Sequence, residues 1–486
     1  DTARARCRSF PALGHAQASV AGKGVRRMSV FSLSNLKKTW YYLQKNGIRN
    51  AVWAVLERIG QEQEVYTWQE PDEKTLSFQR EHSASLRISI VVPAYRTKKE
   101  HLEAMLNSVS KQSYPHWELI VADAGGTAES VQAWAKKNGI CLRKAADASN
   151  LAEWKDQSIM LCTLSENKGI SANTNAGIEL AAGDAVGLLD HDDLLTANAL
   201  WEMADCLEKE KKRGKQKLVL FSDEDKCDGA ASRFYEPNFK PDFDGELLLT
   251  NNYICHFTVI ETAFLKELKL RSGFDGAQDY DLMLRAYAAG GQFVHVPKVL
   301  YHWRCHEAST ASNPQSKRYA YEAGQRALED YCLRKGWKAT VSGLKHLGFY
   351  REDYEDSVFC QRPEIGIWAK PLPGGRDIFG IRHPKGFLVS GLYENDGLMR
   401  YAGLRKGYSG PMHRAALQQS APAADLRSME VCSALKERYA QTIAELKEAC
   451  QGLPTAAQEK KILQKSMEFC KEATAAGYGI LWDPQA

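Results

Sequence analysis

An α/β fold with a mostly parallel central sheet is what this sequence predicts, on three observations. Apolar, β-branched runs such as Arg87–Tyr95, RISIVVPAY, read as strands buried on both faces. Stretches with helical spacing alternate with such runs from Arg87 to about Leu344, the order that produces right-handed parallel crossovers. One run, Ala185 to Leu189, passes straight into Asp190, His191, Asp192 and Asp193, and open α/β sheets bind ligands at the carboxyl ends of their strands.

The first strand ends at Pro93. Residues 98–111 are then helical in pattern, and WELIVADAG is a second strand with Asp123 at its tip. A helix over 127–138 and the short apolar run IMLCTL lead to ENKGISANTNAGIELAAGD, helical from Gly169 to Ala182. The DAVGLLDHDD strand comes next, so Asp123 and Asp190 should end strands on the same edge. A further helix is expected to start near Leu194, capped by Asp193. No GxGxxG follows the first strand and no GxxxxGK[ST] occurs, which leaves dinucleotide and P-loop readings weak.

Three carboxylates and an imidazole within four residues repel one another and resist burial. A divalent cation would supply the missing charge, and hard oxygen ligands suit Mg²⁺ or Mn²⁺ with substrate phosphates. A solvated acidic turn is the competing reading. The chain has room for two or three domains in 486 residues. A net charge of +4 gives no general case for nucleic acid. The 12 cysteines form no CxxC pair, which favours reduced thiols over a zinc site. No run reaches the roughly 18 apolar residues of a spanning helix.

The ordered segments VVPAY, VADAGGT, NKGISANTNAGIELAAGD and LLDHDD resemble the inverting glycosyltransferases of family 2, with the GT-A (nucleotide-diphospho-sugar transferase) fold. FSDEDK, KPDFDGELLLTNNYICHF, GAQDYDLMLRA and HVPKVLYHWRCHEAST extend the likeness over about 87–345. The nearest flavour is bacterial O-antigen, rhamnan and exopolysaccharide assembly. The resemblance implies a UDP- or dTDP-linked sugar donor and a glycan acceptor on a polyprenyl carrier. It implies a cytoplasmic protein, peripheral at the inner membrane, and no nucleic acid.

Residue by residue, Asp192 matches the family's metal ligand, with Asp190 nearer the ribose and His302 completing the metal site. Pro93, Tyr95, Asp123, Asn167, Lys168, Asn175, His191 and Arg304 fall on the nucleotide-sugar side. Asp123 would accept from the imide of uracil or thymine, or else form an Asx-turn opening the AGGT loop. Asn175 would orient hydroxyls, or else cap a helix. Asp279, where Gln278 replaces the family's usual glutamate, is the expected general base, or else the N-cap of its helix. Asp281 has the better claim to a structural role. Arg304 would grip the diphosphate in a bidentate contact. Gln278, Asn252 and Tyr253 are placed on the acceptor side.

Outside this region four further expectations stand. Residues 1–27 read as a leader outside the working protein. Residues 28–86 read as a basic helical segment, either lying on a membrane or packed on its own domain, followed by a polar linker. Residues 346–486 look like the later half of a second glycosyltransferase domain, a degenerate remnant with Glu468 where the base motif usually has Asp. An inactive assembly scaffold is the alternative function.

Overall fold

The computed structural model describes residues 66–145, 155–305, 318–343 and 347–369. It also describes shorter pieces at 429–441, 444–445, 469, 472–473 and 475–482. The leader and the basic helix expected before residue 61 lie outside the described residues. The chain divides into two compact units, 1–69 and 70–486, and every described strand and helix lies in the second. Among the described residues no helix is long and apolar enough to cross a membrane.

Ten strands form the main sheet. They are β1 (Ile88–Ala94), β2 (Trp117–Asp123), β3 (Cys141–Lys144), β4 (Ser158–Thr163), β5 (Ala185–Leu188), β6 (Leu194–Leu195), β7 (Leu218–Cys227), β8 (Phe234–Asn238), β9 (Thr258–Glu261) and β10 (Gln292–Arg304). Their order is β3-β4-β2-β1-β5-β9-β7-β10-β6, with β8 on the side of β7. The first five strands in that order are parallel, as expected, and β9 is the antiparallel insertion between β5 and β7.

Alternation along β1 shows why both faces are covered. Ile88, Ile90 and Val92 join one core with Leu102, Met203 and Leu207, whereas Val91 joins the other with Ile178, Leu265 and Leu282. Each such side chain stabilises the fold by about 1.5–3 kcal/mol on leaving water. The helix Ile170–Leu180 lies so close to the sheet that a Cβ on Gly177 would meet Val91 Cγ1 at 2.7 Å. At the amino edge, buried Glu118 accepts from Ser89 Oγ (2.7 Å), Arg143 Nη2 (2.9 Å) and the Ala182 amide (3.0 Å), tying three segments together.

Two expectations need correction. The expected linker contains a helix, Glu73–Glu81, whose N-cap Asp72 accepts from the Thr75 amide at 2.7 Å. Its Gln79 is buried between Ser113 and Glu202, which docks the helix. No helix starts near Leu194: that residue and Leu195 form β6, antiparallel to Tyr301–His302, and the helix begins at Ala199.

Beyond β10 the chain forms the helix Arg318–Arg334 and a hairpin of β11 (Ala339–Gly343) and β12 (Tyr350–Tyr354), which straddles the boundary expected at 345. Tyr350 stacks on Tyr280 at 5.9 Å. Arg362, enclosed, donates through Nη1 to Glu246 Oε2 (2.7 Å), pairs again through Nη2, and lies 4.8 Å over Trp337. A separate three-stranded sheet comes last, β14 (Met429–Val431), β13 (Ile365–Ala369) and β15 (Gly479–Trp482).

One pair within β7 and β10 makes stability depend on pH. The fully enclosed His295 ring stacks on Phe221 (5.0 Å) and contacts Asp223 (2.9 Å) and Asp242 (3.3 Å). Burial pulls its pKa down, but the two carboxylates outweigh that and raise it. The charged ring therefore stabilises the fold fully below the unfolded value of about 6.5, and the benefit fades as pH rises through the higher folded value. In urea melts, wild type should lose more stability between about pH 6 and about pH 8 than His295→Gln. Parallel profiles would show that His295 contributes none of the pH dependence.

Candidate active site

The carboxyl ends of β1, β2 and β4 lie level, with Ala94 opposite Asp123 and Asp123 opposite Thr163. The acidic turn leaves β5 on this edge. Asp193 does not cap a helix: its carboxylate is buried, accepting from Tyr301 Oη (2.5 Å) and the Arg304 amide (2.7 Å). Burial, then Asp192 and Asp190, push its pKa well up, while the Tyr301 hydroxyl and Arg304 amide pull it back. Arg304 closes the staple, donating from Nε to the Asp192 carbonyl (2.5 Å) and from Nη1 to the Gly229 carbonyl (2.7 Å).

Asp190 is the point of convergence. Burial raises its pKa; His256 opposes, Asp192 adds, His191 opposes and Asp279 adds. Residues far apart in sequence thus act on one carboxylate. His191 Nδ1 stands 3.9 Å from Asp192 Oδ1. Asp279 is the second residue of the helix Gln278–Ala288, whose N-cap is Ala277, so it is not the cap. Its Oδ2 accepts from Asn252 Nδ2 and its Oδ1 from the Tyr280 amide, both at 2.9 Å.

His256 was not singled out from sequence. The only signal was its place in the TNNYICHF segment. Its ring stacks on Tyr301 at 5.0 Å, and its amide donates to Glu224 (2.5 Å). Lys240 holds this loop from beneath. Buried, its Nζ donates to the carbonyls of Ile254 (2.9 Å) and His256 and meets Glu224 Oε2 at 3.4 Å. Cys255 sits in the same loop, its thiol pushed up by burial and then by Asp279.

Several residues expected to contact ligand also make contacts within the protein. Asp123 is buried, and its oxygens accept from the amides of Gly125, Thr127 and Ala128, so it holds the AGGT loop. Asn175 spends both ends of its amide on the Leu270 backbone, at 2.8 and 2.9 Å. Asn167 accepts from the Gly169 amide and Asn173 Nδ2. Lys168 Nζ faces Glu166 at the surface. Asp275 accepts from the Ser171 amide (3.2 Å) and so covers the start of that helix. Tyr253 is buried, edge-on to Phe221, and its hydroxyl accepts from the Asp244 amide at 2.8 Å.

Two expected residues lie on β10. His302 Nδ1 pairs with Asp225 (2.5 Å) and its ring packs on Phe234 (4.2 Å). Arg304 has Nε and Nη1 on backbone carbonyls. Gln278 accepts from the Gly276 amide (2.8 Å) and shapes its own turn. Asp281 is structural as expected, held by Arg271 and Arg285. Pro93 and the half-exposed Tyr95, with Arg96 5.0 Å over its ring, stay on the carboxyl edge.

Among the described residues no group of three or more His, Cys, Asp or Glu side chains is gathered to hold a metal. Mg²⁺, however, is commonly bound by one or two carboxylates plus substrate phosphates and water. The Asp190 pKa is raised first by burial, with Asp192 and Asp279 adding to it, and a cation would relieve both causes, so Asp190 and Asp192 fit one.

The family model for glycosyl transferase family 2 matches residues 89–268. That stretch of the chain is similar to glycosyl transferase family 2. The match runs from within β1 through β9, includes the acidic turn and ends before Asp279. An uncharacterised protein, y4gI, of Sinorhizobium fredii is 36% identical over 52% of this chain and 26% of its own length. The O-antigen biosynthesis protein RfbC of Myxococcus xanthus is 34% identical over 52% of this chain and 19% of its own. The chain thus spans about a quarter or less of these two relatives. A crystal structure of Staphylococcus aureus TarS 1–349 with UDP-GlcNAc aligns over 51% of this chain and 67% of that one, at 20% identity and a TM-score of 0.38.

The Lys240 clamp can be tested directly. Lys240→Met leaves Glu224 buried without its cation and should cost about 3–5 kcal/mol in denaturant unfolding. A variant as stable as wild type would show that the clamp contributes nothing.

Proposed function

We propose that this chain is an inverting, metal-dependent glycosyltransferase that moves a sugar from a UDP- or dTDP-linked donor to a growing cell-surface polysaccharide on a polyprenyl carrier. The observation that carries the reading is that Asp192 and Asp279 both act on buried Asp190, which follows β5 in the stretch that matches the family 2 model. The relative named for O-antigen biosynthesis supports the polysaccharide product.

In this reading Asp279 takes the proton of the acceptor hydroxyl. Asn252 and the Tyr280 amide each occupy one of its oxygens from a fixed direction, which leaves lone pairs for that proton and sets where the acceptor must stand. The bond from acceptor oxygen to anomeric carbon forms as the bond from that carbon to the diphosphate breaks on the opposite face. Asp190 and Asp192 would hold Mg²⁺ or Mn²⁺, which when bound neutralises the leaving diphosphate. His191 and Tyr95 border the donor's path, and the staple by Arg304 fixes the acidic turn before donor arrives. The basic segment 28–60 is the proposed contact with an anionic membrane surface.

Asp279→Asn should leave donor binding nearly intact and slow transfer 10²–10⁴-fold, about what a positioned base contributes; near-normal transfer would remove it from the mechanism. Asp192→Ala should abolish the Mn²⁺-dependent part of donor binding in calorimetry. Undiminished affinity in Mn²⁺ would count against the metal assignment. Deleting residues 28–60 should release the protein from anionic liposomes, and unchanged co-sedimentation would favour a helix packed on its own domain.

A further inference from the structure

We infer that the strands between Ile365 and Trp482 are a second copy of the β7–β9–β10 part of the main sheet, lacking both a donor layer and a base, so that the chain has one transfer centre. The functional half of this inference rests on the proposed glycosyltransferase reading; the duplication itself does not.

The two sheets share topology. β7 is antiparallel to β9 and parallel to β10; β13 is antiparallel to β14 and parallel to β15. In both, the middle strand comes first in the chain and the parallel partner last.

The register agrees as well. Phe293 lies opposite Val219, and Ile480 opposite Ile367. Across the antiparallel pair, Val219 faces Ile260 and Ile367 faces Val431. From those partners each chain passes through one capping residue, Glu261 or Cys432, into a helix starting at Thr262 or Ser433. The third helical residue, Phe264 or Leu435, is buried in each.

The other end of the unit repeats the match. Before β10 the Ala289 amide donates to Arg285 and the Gly291 amide to Ala286; before β15 the Ala476 amide donates to Glu472 and the Tyr478 amide to Ala473. Between them stands a glycine with left-handed φ, +77° at Gly290 and +90° at Gly477, which closes the helix. Each strand then starts at the next aligned residue, Gln292 or Gly479. Ala286 and Ala473 are buried alike, as are Leu282 and Phe469. The sequences run in step, AYAAGGQFVHVP over 286–297 and ATAAGYGILWDP over 473–484.

Carried back along the sequence in that register, Asp281 falls on Glu468 and Asp279 on Ser466. In sequence, Glu468 therefore aligns with the arginine-held Asp281 and not with the base, and serine aligns with Asp279. A serine hydroxyl does not accept a proton near neutral pH. Among the described residues no donor layer precedes the copy. The described chain from Arg318 to β13 is taken up by a helix, the β11–β12 hairpin and the short helix Val358–Gln361, with no counterpart of β1 to β5.

The test uses the full chain. Calorimetry with UDP and with dTDP, each with Mn²⁺, should give one site per chain for the nucleotide that binds, and Asp279→Asn should keep that site while losing transfer from every UDP- and dTDP-sugar tried. Two sites, or residual transfer that Ser466→Ala then removes, would overturn the single centre. Hydrogen exchange by mass spectrometry reads the duplication separately: 365–369, 429–431 and 479–482 should be protected together, and exchange at random-coil rates would overturn it. Protected strands with neither UDP nor dTDP bound would instead overturn the glycosyltransferase reading and leave the duplication standing.

Discussion

Everything at the carboxyl edge depends on how the acidic turn is held down. A turn with aspartates at 190, 192 and 193 would spring into water if left to itself, because each charge gains solvation and distance from the others. It stays because one of the three is given up to structure. Asp193 faces inward to the Tyr301 hydroxyl and the Arg304 amide, and the Arg304 side chain reaches back to the Asp192 carbonyl. Leu194 and Leu195 then pair with β10. With the backbone of 192–195 fixed at both ends, Asp190 and Asp192 are left near the edge where His256 and Asp279 arrive from elsewhere in the chain.

The same logic explains the unusual strand β7. FSDEDK places three consecutive acids inside the protein, each of which would be costly without a partner. Each has one: Asp223 meets His295, Glu224 meets Lys240, and Asp225 meets His302. Two of the partners lie on β10, the parallel neighbour, and the third fixes the loop that carries Asn252 and His256. What reads in sequence as charge clustered for chemistry is largely a set of ties between adjacent strands.

The central sheet was legible because buried parallel strands are apolar almost throughout, and β1, β2, β4 and β5 fall where their patterns put them. β6 was not, since two leucines after an acidic turn fit a helix start as well as a strand; only pairing with Tyr301 and His302 decides it. At the site, Asp192 and Asp279 both act on buried Asp190, which their separate motifs in the sequence do not report. Asp123, Asn175 and Tyr253 carry the right chemistry for ligands, yet their polar atoms are taken by backbone amides and carbonyls several residues or a whole element away. No spacing rule reports that. His256 was passed over because a single histidine in an apolar loop carries no motif, and its importance comes from Lys240 and Glu224 fixing the backbone around it.

The Arg362–Glu246 pair bears on where this protein can be divided. Glu246 lies in the helix Gly245–Thr250, just before the loop that reaches Asp279, while Arg362 sits three residues ahead of β13. A fragment ending near residue 345 would keep every residue of the family 2 match and still leave a carboxylate enclosed without its cation, with Tyr280 stripped of the Tyr350 ring. The smallest fragment that keeps these contacts therefore extends through Arg362, and the natural seam lies between that arginine and β13.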